Sequence, residues 1–312
     1  MDNTGQNNIT INVKSVLIVS LLSLLYLASS YFLIGYNTSE LVLVLIFNSL
    51  FYISPITRKF ILAFSIFIVY WIIFDYMKAF PNYHYTPVHI ADLYNFEKHL
   101  FGIYDHGKLL TPNEYLRIHS TTFVDVVTGL FYLCWIPVPL GFATFLFFKN
   151  KRQFLYFSLT FVLVNVLGFV VYYTFPAAPP WYIQYYGFHF TPLTMGNTAG
   201  LARFDAYFHA GIFKSIYTKG SNVFAAMPSL HSSYPVIVLY YGLKNRYKVA
   251  SIFFAIVMVG IWFTAVYASH HYVLDVIAGI ITAIIGISLF NLLINRVKWL
   301  QVSINKYEQV IL

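Results

Sequence analysis

Apolar runs of 16 to 26 residues recur along this chain between short polar segments, and that recurrence limits its fold more than any single motif does. In hydrocarbon, every backbone N–H and C=O must be paired within its own segment, so such runs cross as α-helices. A crossing takes about 20 apolar residues, with about 17 as the lower limit. Eight runs meet or approach that length: 16–35, 41–56, 60–77, 123–148, 154–175, 228–243, 249–269 and 271–294. The second and sixth are short, and the second also fits half of a re-entrant pair. Only 10% of the residues are charged and 59% are hydrophobic, whereas a soluble domain carries about 25% charge. A soluble globular chain is thereby excluded. The expected fold is all-α: a polytopic transmembrane bundle of about eight spans, forming one domain over 1–312. Residues 15–77 read as accessory helices and 123–295 as the core. The first run follows the polar stretch Met1 to Lys14 and precedes further spans, so it reads as a retained helix and not a cleaved signal peptide. The single cysteine, Cys134, lies within an apolar run. It allows no intrachain disulfide and reads as a small packing residue.

Charge orients the bundle. With the N-terminus inside, Lys14, Arg58, Lys59, Lys149, Lys151, Arg152, Lys244, Arg246, Lys248, Arg296, Lys298 and Lys306 all fall on one side. These twelve basic residues accompany two acids, Asp2 and Glu308, while the other side has seven basic and nine acidic residues. Positive charge stays on the cytoplasmic face, so both termini are expected in the cytoplasm. All ten histidines then lie outside the spans or at their outer ends. Two outer loops are long, 78–122 and 176–227. In the first, Thr86 and Pro87 suit a helix start and Gly102 its end. Ile90, Leu93, Tyr94, Leu100 and Phe101 share a face, which fits a helix over 87–102 lying in the membrane interface or packed on the bundle.

Chemistry concentrates in two strings, Ala226-Met-Pro-Ser-Leu-His231 and His270-His271-Tyr-Val-Leu-Asp275. Each sits where a polar loop meets an apolar run. Residues four apart meet on one helix face, so Asp275 can bond one nitrogen of His271 and make the other more nucleophilic. A carboxylate one turn inside a span is costly without a partner and points to function; a structural His–Asp tie between helices is the plainer reading. Pro228 suits the first turn of a helix starting near Ser229, whose free N–H groups and serine hydroxyl would form a phosphate site. His231 lies beside it and suits general acid and base work. Two imidazoles, a carboxylate and an anion site are the parts of covalent phosphoryl transfer.

These two strings resemble the second and third signatures of the type 2 phosphatidic acid phosphatase superfamily. Together with Phe175-Pro-Ala-Ala-Pro-Pro-Trp181-Tyr182 they are most similar to its inositol phosphorylceramide synthase-like branch and bacterial relatives. The likeness runs from about Phe175 to Gly279. It is weaker from His89 to Gly102, where Asp-Leu-Tyr-x-x-Glu-Lys-x-Leu-Phe-Gly is similar. The resemblance implies His271 as the nucleophile that becomes phosphohistidine, Asp275 as its orienter, His231 as the handler of the leaving-group proton and Ser229 as a phosphate ligand. The similarity to bacterial relatives implies a bacterial inner-membrane protein, and the charge asymmetry is expected to place both strings on the extracytoplasmic side.

The chain departs from the phosphatase pattern in two places. Ala-Pro-Pro-Trp-Tyr replaces the Lys and Arg-Pro of the first signature, and Ala265 stands where an arginine precedes the nucleophile by six residues. Fewer fixed cations favour a phosphodiester over a dianionic monoester. Arg203 is the best remaining phosphate-binding cation, or else a partner of Asp205; Lys214 and Lys219 are further candidates. Trp181 and Tyr182 suit headgroup contact or interface anchoring, and His270 and Asp125 are candidate site residues. Asp75 and Asp125 at span ends also suit plain headgroup contact, and Gly279 with Ala283 suits close helix packing. No three-ligand metal arrangement exists beyond histidines already employed, and no cofactor is expected. The expected reaction moves a phosphoinositol-type headgroup from a phosphatidyl donor to a ceramide-type hydroxyl, releasing diacylglycerol. A lipid phosphatase of the same superfamily, or a non-catalytic lipid transporter or scaffold, are the alternatives. Membrane lipids are the expected partners; nucleic acid is not.

Overall fold

The computed structural model describes residues 11–218 and 222–312. In chain order its helices are α1 (Val13–Ile34), α2 (Thr38–Ile53), α3 (Pro55–Tyr76), α4 (Ala91–Phe101), α5 (Pro112–Ile118), α6 (Thr122–Leu133), α7 (Pro137–Lys149) and α8 (Lys151–Thr174). They continue with α9 (Pro180–Tyr186), α10 (Ala202–Tyr207), α11 (Ile212–Tyr217), α12 (Leu230–Lys244), α13 (Lys248–Tyr267), α14 (Val273–Arg296) and α15 (Lys298–Ile311). A two-stranded hairpin, β1 (Ile103–Asp105) with β2 (Lys108–Leu110), departs from the all-helical expectation. Its two-residue turn places His106 at φ 45° and Gly107 at φ 78°, the left-handed pair that matches the twist of hairpin strands.

Among the described residues, six segments are long and apolar enough to cross a membrane: Val13–Ile34, Pro55–Ala79, Thr122–Lys149, Lys151–Thr174, Lys248–Tyr267 and Val273–Arg296. The expected count of about eight is approximate: its two short runs are α2, with 16 residues, and α12, with 15. The run expected at 123–148 is interrupted at 134–136. There Pro137 opens α7, and a proline ring tolerates no helical hydrogen bond at its own nitrogen.

The chain divides into two compact units. One comprises the segments up to Phe80, Ala143–Val162 and Asn291–Leu312. Val19, Phe51 and Ile61 form its buried cluster. Tyr307 donates to the Leu62 carbonyl at 2.5 Å, tying α15 to α3, and Arg152 pairs with Glu308 at 2.9 Å. Asp75, expected near a site or headgroups, pairs with Lys78 in the same turn at 2.5 Å.

The second unit comprises Pro81–Phe142 and Leu163–Phe290 and contains every described candidate catalytic residue. Its core is α6, α12, α13 and the inner parts of α8 and α14. Tyr132, Leu201, Phe204, Phe213, Ala265 and Val276 form one of its buried clusters. The helix expected over 87–102 begins later, at Ala91. His89 is instead extended, because its backbone pairs with Pro176 and Ala178 (N···O 2.8 and 3.0 Å). Leu93 and Glu97 are the buried residues of α4, and Leu100 is half exposed. The buried face of α4 therefore contains a carboxylate as well as apolar side chains.

Candidate active site

Three distant segments meet as extended chain. Ala177 pairs with His89 on one side and Ala225 on the other, through Ala177 N to Phe224 O at 2.9 Å and Ala226 N to Ala177 O at 3.3 Å. Asn82 fixes the arrangement from beneath, its Nδ2 donating to the carbonyls of Tyr172 and Phe224, both at 2.9 Å. The Phe-Pro-Ala-Ala-Pro string is thus the central strand of a small platform. That platform delivers the start of the Ala226–His231 string. The helix start comes slightly later than expected: Ser229 is the N-cap of α12, and Pro228 stands before it.

From the other side, α13 ends at Tyr267, and residues 268–272 turn the chain into α14. This turn is held along its length. Gly200 N donates to Ala268 O at 2.9 Å, Trp181 N to Ser269 O at 3.0 Å, and Asn113 Nδ2 to Val266 O and His271 O at 2.7 and 2.8 Å. His271 therefore lies two residues before α14, not on its face. Asp275 reaches back over that start, its Oδ2 accepting from Tyr272 N at 2.8 Å, which is the return half of a capping box.

The two segments bring His231 and His271 together, with Nδ1 of His231 3.3 Å from Nε2 of His271. The other nitrogen of His271, Nδ1, lies 2.9 Å from the Ala226 carbonyl and 3.6 Å from Asp275 Oδ2. A carbonyl only accepts, so Nδ1 carries the proton and Nε2 presents its lone pair toward His231. The sequence suggested Asp275 as the direct partner. Here the nearer partner is a main-chain oxygen, and the carboxylate adds charge from behind. Trp135, in the turn between α6 and α7, meets the His231 ring edge-on at 4.4 Å, and Tyr132 lies 5.3 Å away.

α12 and α14 approach closely where the site is assembled. Ser229 N donates to Asp275 O at 2.9 Å, and Ser233 Oγ to Gly279 O at 2.7 Å. A Cβ on Gly279 would overlap the Ser229 carbonyl. The Gly279 and Ala283 pair is therefore close packing, as expected, and at Gly279 it packs the two strings themselves. Ser229 is fully buried, and its Oγ accepts from Ser232 N and Ser232 Oγ at 3.4 and 3.0 Å. Its oxygen thus serves as a cap. Among the described residues, the N–H groups of Leu230 and His231 have no acceptor, so α12 keeps donors for an anion.

The remaining candidates scatter. His270 is buried, stacks on Tyr217 at 4.4 Å and has Nε2 3.0 Å from Thr198 O. Burial and then the neighbouring His271 push its pKa down to about 3, so it is a neutral donor that braces the turn. Trp181 and Tyr182 are buried, not surface anchors. The Tyr182 hydroxyl donates to His189 O and accepts from Thr191 N, both at 2.7 Å. Lys214 borders a cavity of about 470 Å³ lined also by Asn197, Thr198, His209 and Tyr217. Lys219 lies outside the described residues.

Arg203 does not pair with Asp205, whose oxygens instead accept from the N–H groups of Phe213 and Lys214 at 3.1 and 2.9 Å. Its partner is Asp125: Nε to Oδ1 is 2.6 Å, Tyr267 Oη donates to the same oxygen at 2.8 Å, and the guanidinium lies 5.3 Å above the Tyr267 ring. Asp125 is buried. Arg203→Ala should therefore destabilise the protein by about 1–3 kcal/mol through an unpaired buried carboxylate. Thermal unfolding in detergent should show the loss, and Arg203→Ala combined with Asp125→Asn should recover part of it.

Three residues escaped the sequence reading. The Ala226 carbonyl and the Asn113 amide act through backbone contacts, which residue type does not announce. Glu97 was visible within the Asp-Leu-Tyr-x-x-Glu-Lys similarity but had no role. Its carboxylate accepts from Val273 N at 2.9 Å and Leu274 N at 3.1 Å and is fully buried. Burial, and to a lesser degree the charge of Asp275, raise its pKa to about 7 against the pull of those two N–H groups. No group of three or more His, Cys, Asp or Glu side chains able to hold a metal ion occurs among the described residues.

Paired imidazoles 3.3 Å apart, the His271–Asp275 string and a helix start with open donors come together in a chain with six apolar helices long enough to cross a membrane. Residues 103–289 match the PAP2 superfamily model, and the chain belongs to that family. It is 42% identical to the phosphoinositol dihydroceramide synthase of Bacteroides thetaiotaomicron over 96% of this chain and 98% of that protein. It is also 26% identical to the inositol phosphorylceramide synthase catalytic subunit of Saccharomyces cerevisiae, over 84% of this chain and 68% of that protein. The corresponding subunit of Schizosaccharomyces pombe is 27% identical over 74% of this chain and 54% of its own length. No solved structure matches the chain significantly.

Proposed function

We propose that this protein is a membrane-embedded transferase that moves a phosphoinositol headgroup from a phosphatidyl donor to the hydroxyl of a ceramide. The juxtaposition of His271 Nε2 and His231 Nδ1 at 3.3 Å supports this most directly, together with the names of relatives that align over most of the chain. In the first half-reaction, Nε2 of His271 attacks phosphorus and the bond to the diacylglycerol oxygen breaks. Protonated His231 gives its proton to that oxygen, and diacylglycerol leaves. The headgroup phosphate remains on His271 as a phosphohistidine. In the second half-reaction, His231 takes the proton of the ceramide hydroxyl, the oxygen attacks phosphorus, and His271 is released. The Ala226 carbonyl keeps the Nδ1 proton in place throughout, and Asp275 stabilises the charge that develops on the ring. Leu230 and His231 N–H groups receive a phosphate oxygen at the start of α12. The cavity beside Tyr217, with Asn197, Thr198 and Lys214 on its wall, offers room for a polyol. The charge asymmetry supports a site on the extracytoplasmic side with both termini inside. No protein partner is required by this chemistry.

Purified protein given labelled phosphatidylinositol and ceramide should form a phosphosphingolipid, resolved by thin-layer chromatography. Each missing charge-assisted contact is worth about 1.5–3 kcal/mol, so phosphatidate should be at least about tenfold poorer as a donor than the diester. Hydrolysis of phosphatidate faster than transfer, unaffected by ceramide, would replace this reading with a phosphatase.

A further inference from the structure

We propose that Glu97 is a positioning residue of the reaction, holding the nucleophile through the first turn of α14. Helix starts leave their first N–H groups without intrahelical partners. At α14 they are taken by carboxylates: Tyr272 N by Asp275, and Val273 N and Leu274 N by the two oxygens of Glu97. Glu97 comes from α4, about 176 residues away in sequence, so the contact joins separate parts of the unit and does not merely cap a helix locally. Asn113, from α5, closes the same clamp one step earlier by bonding the carbonyls of Val266 and His271. His271 is therefore fixed on both sides by side chains from the 91–118 segment.

The arrangement also assigns different tasks to the two helix starts. At the start of α14 the N–H groups of Tyr272, Val273 and Leu274 are already bonded and none of them is left for a phosphate, whereas the start of α12 offers the open N–H groups of Leu230 and His231. Phosphate is held from α12, and the attacking nitrogen is presented from α14. Glu97 thereby sets both the aim of Nε2 and the side from which phosphorus is bound. Small displacements of an attacking atom cost about 10²-fold in rate without loss of substrate affinity.

The kinetic part of this inference rests on the transferase reading; the clamp itself does not. The test uses full-length protein in detergent with Glu97→Gln, which keeps the volume but exchanges one acceptor for a donor, and Glu97→Ala. Hydrogen exchange by mass spectrometry should show faster exchange at Val273 and Leu274 in Glu97→Gln, with α13 unchanged. With phosphatidylinositol and ceramide, kcat should fall about 10- to 100-fold while KM for the donor stays within about twofold, and Glu97→Gln should retain more activity than Glu97→Ala. Unchanged exchange at Val273 and Leu274 in both variants would overturn the clamp. Faster exchange with unchanged kcat, or a raised KM alone, would overturn the positioning role. Faster exchange in a protein whose wild type makes no phosphosphingolipid would uphold the clamp and sink only the transferase reading.

Discussion

His271→Ala is expected to abolish headgroup transfer and to leave no phosphoadduct on the protein. The attacking Nε2, whose lone pair is set by the proton that Nδ1 holds against the Ala226 carbonyl at 2.9 Å, is lost with the ring. His231→Ala should lower transfer by about 10²–10⁴, the range for losing general acid and base support. It should still form some adduct from a donor with a good leaving group, since such a group needs no proton. Asp275→Asn should fall in the same range, because it removes the charge that stabilises the developing imidazolium while the amide oxygen still accepts from Tyr272 N. Wild-type turnover by His271→Ala would rule out the nucleophile assignment. The adduct should be acid-labile and base-stable, and mass spectrometry of the 268–275 peptide should locate it.

The second large effect falls on a residue without functional groups. Gly279→Ala should disrupt the site, because the added methyl would overlap the Ser229 carbonyl where α12 meets α14. Overpacking a close helix contact costs about 1–3 kcal/mol. The larger penalty is geometric: Ser229 N is bonded to Asp275 O and Ser233 Oγ to Gly279 O, so separating the helices separates His231 from His271. A loss of roughly 10²-fold in kcat is expected, with folded protein still recovered from detergent. Ala283→Gly, one turn further along, should leave transfer nearly unchanged. If Gly279→Ala retained wild-type kcat, the two strings would not depend on this contact for their alignment.

The parts of the site that the sequence disclosed are those whose chemistry is local. His231 and His271 stand in short strings at the ends of apolar runs, and Asp275 in a span is conspicuous because a buried carboxylate needs a reason. Gly102 marked the end of α4 correctly. What stayed hidden depends on partners far along the chain. Arg203 was offered a neighbour two residues away, but it pairs with Asp125 across 78 residues, because the α6 and α10 segments converge in the fold. The Ala226 carbonyl could not be anticipated, since any residue supplies one; its role follows from the extended platform built by 89, 177 and 225. The interruption between α6 and α7 was legible in Pro137 but masked by the continuous hydropathy around it.

The proposed reaction shares one intermediate between donor and acceptor. Protein should be mixed for a single turnover with phosphatidylinositol labelled in its phosphate, freed of unbound donor, and then chased with ceramide. The label is predicted to reside first on His271, with diacylglycerol released in equal amount, and then to pass into a phosphosphingolipid as the adduct disappears. Label that never resides on the protein, or that leaves it only as free headgroup phosphate whether or not ceramide is present, would contradict transfer through His271.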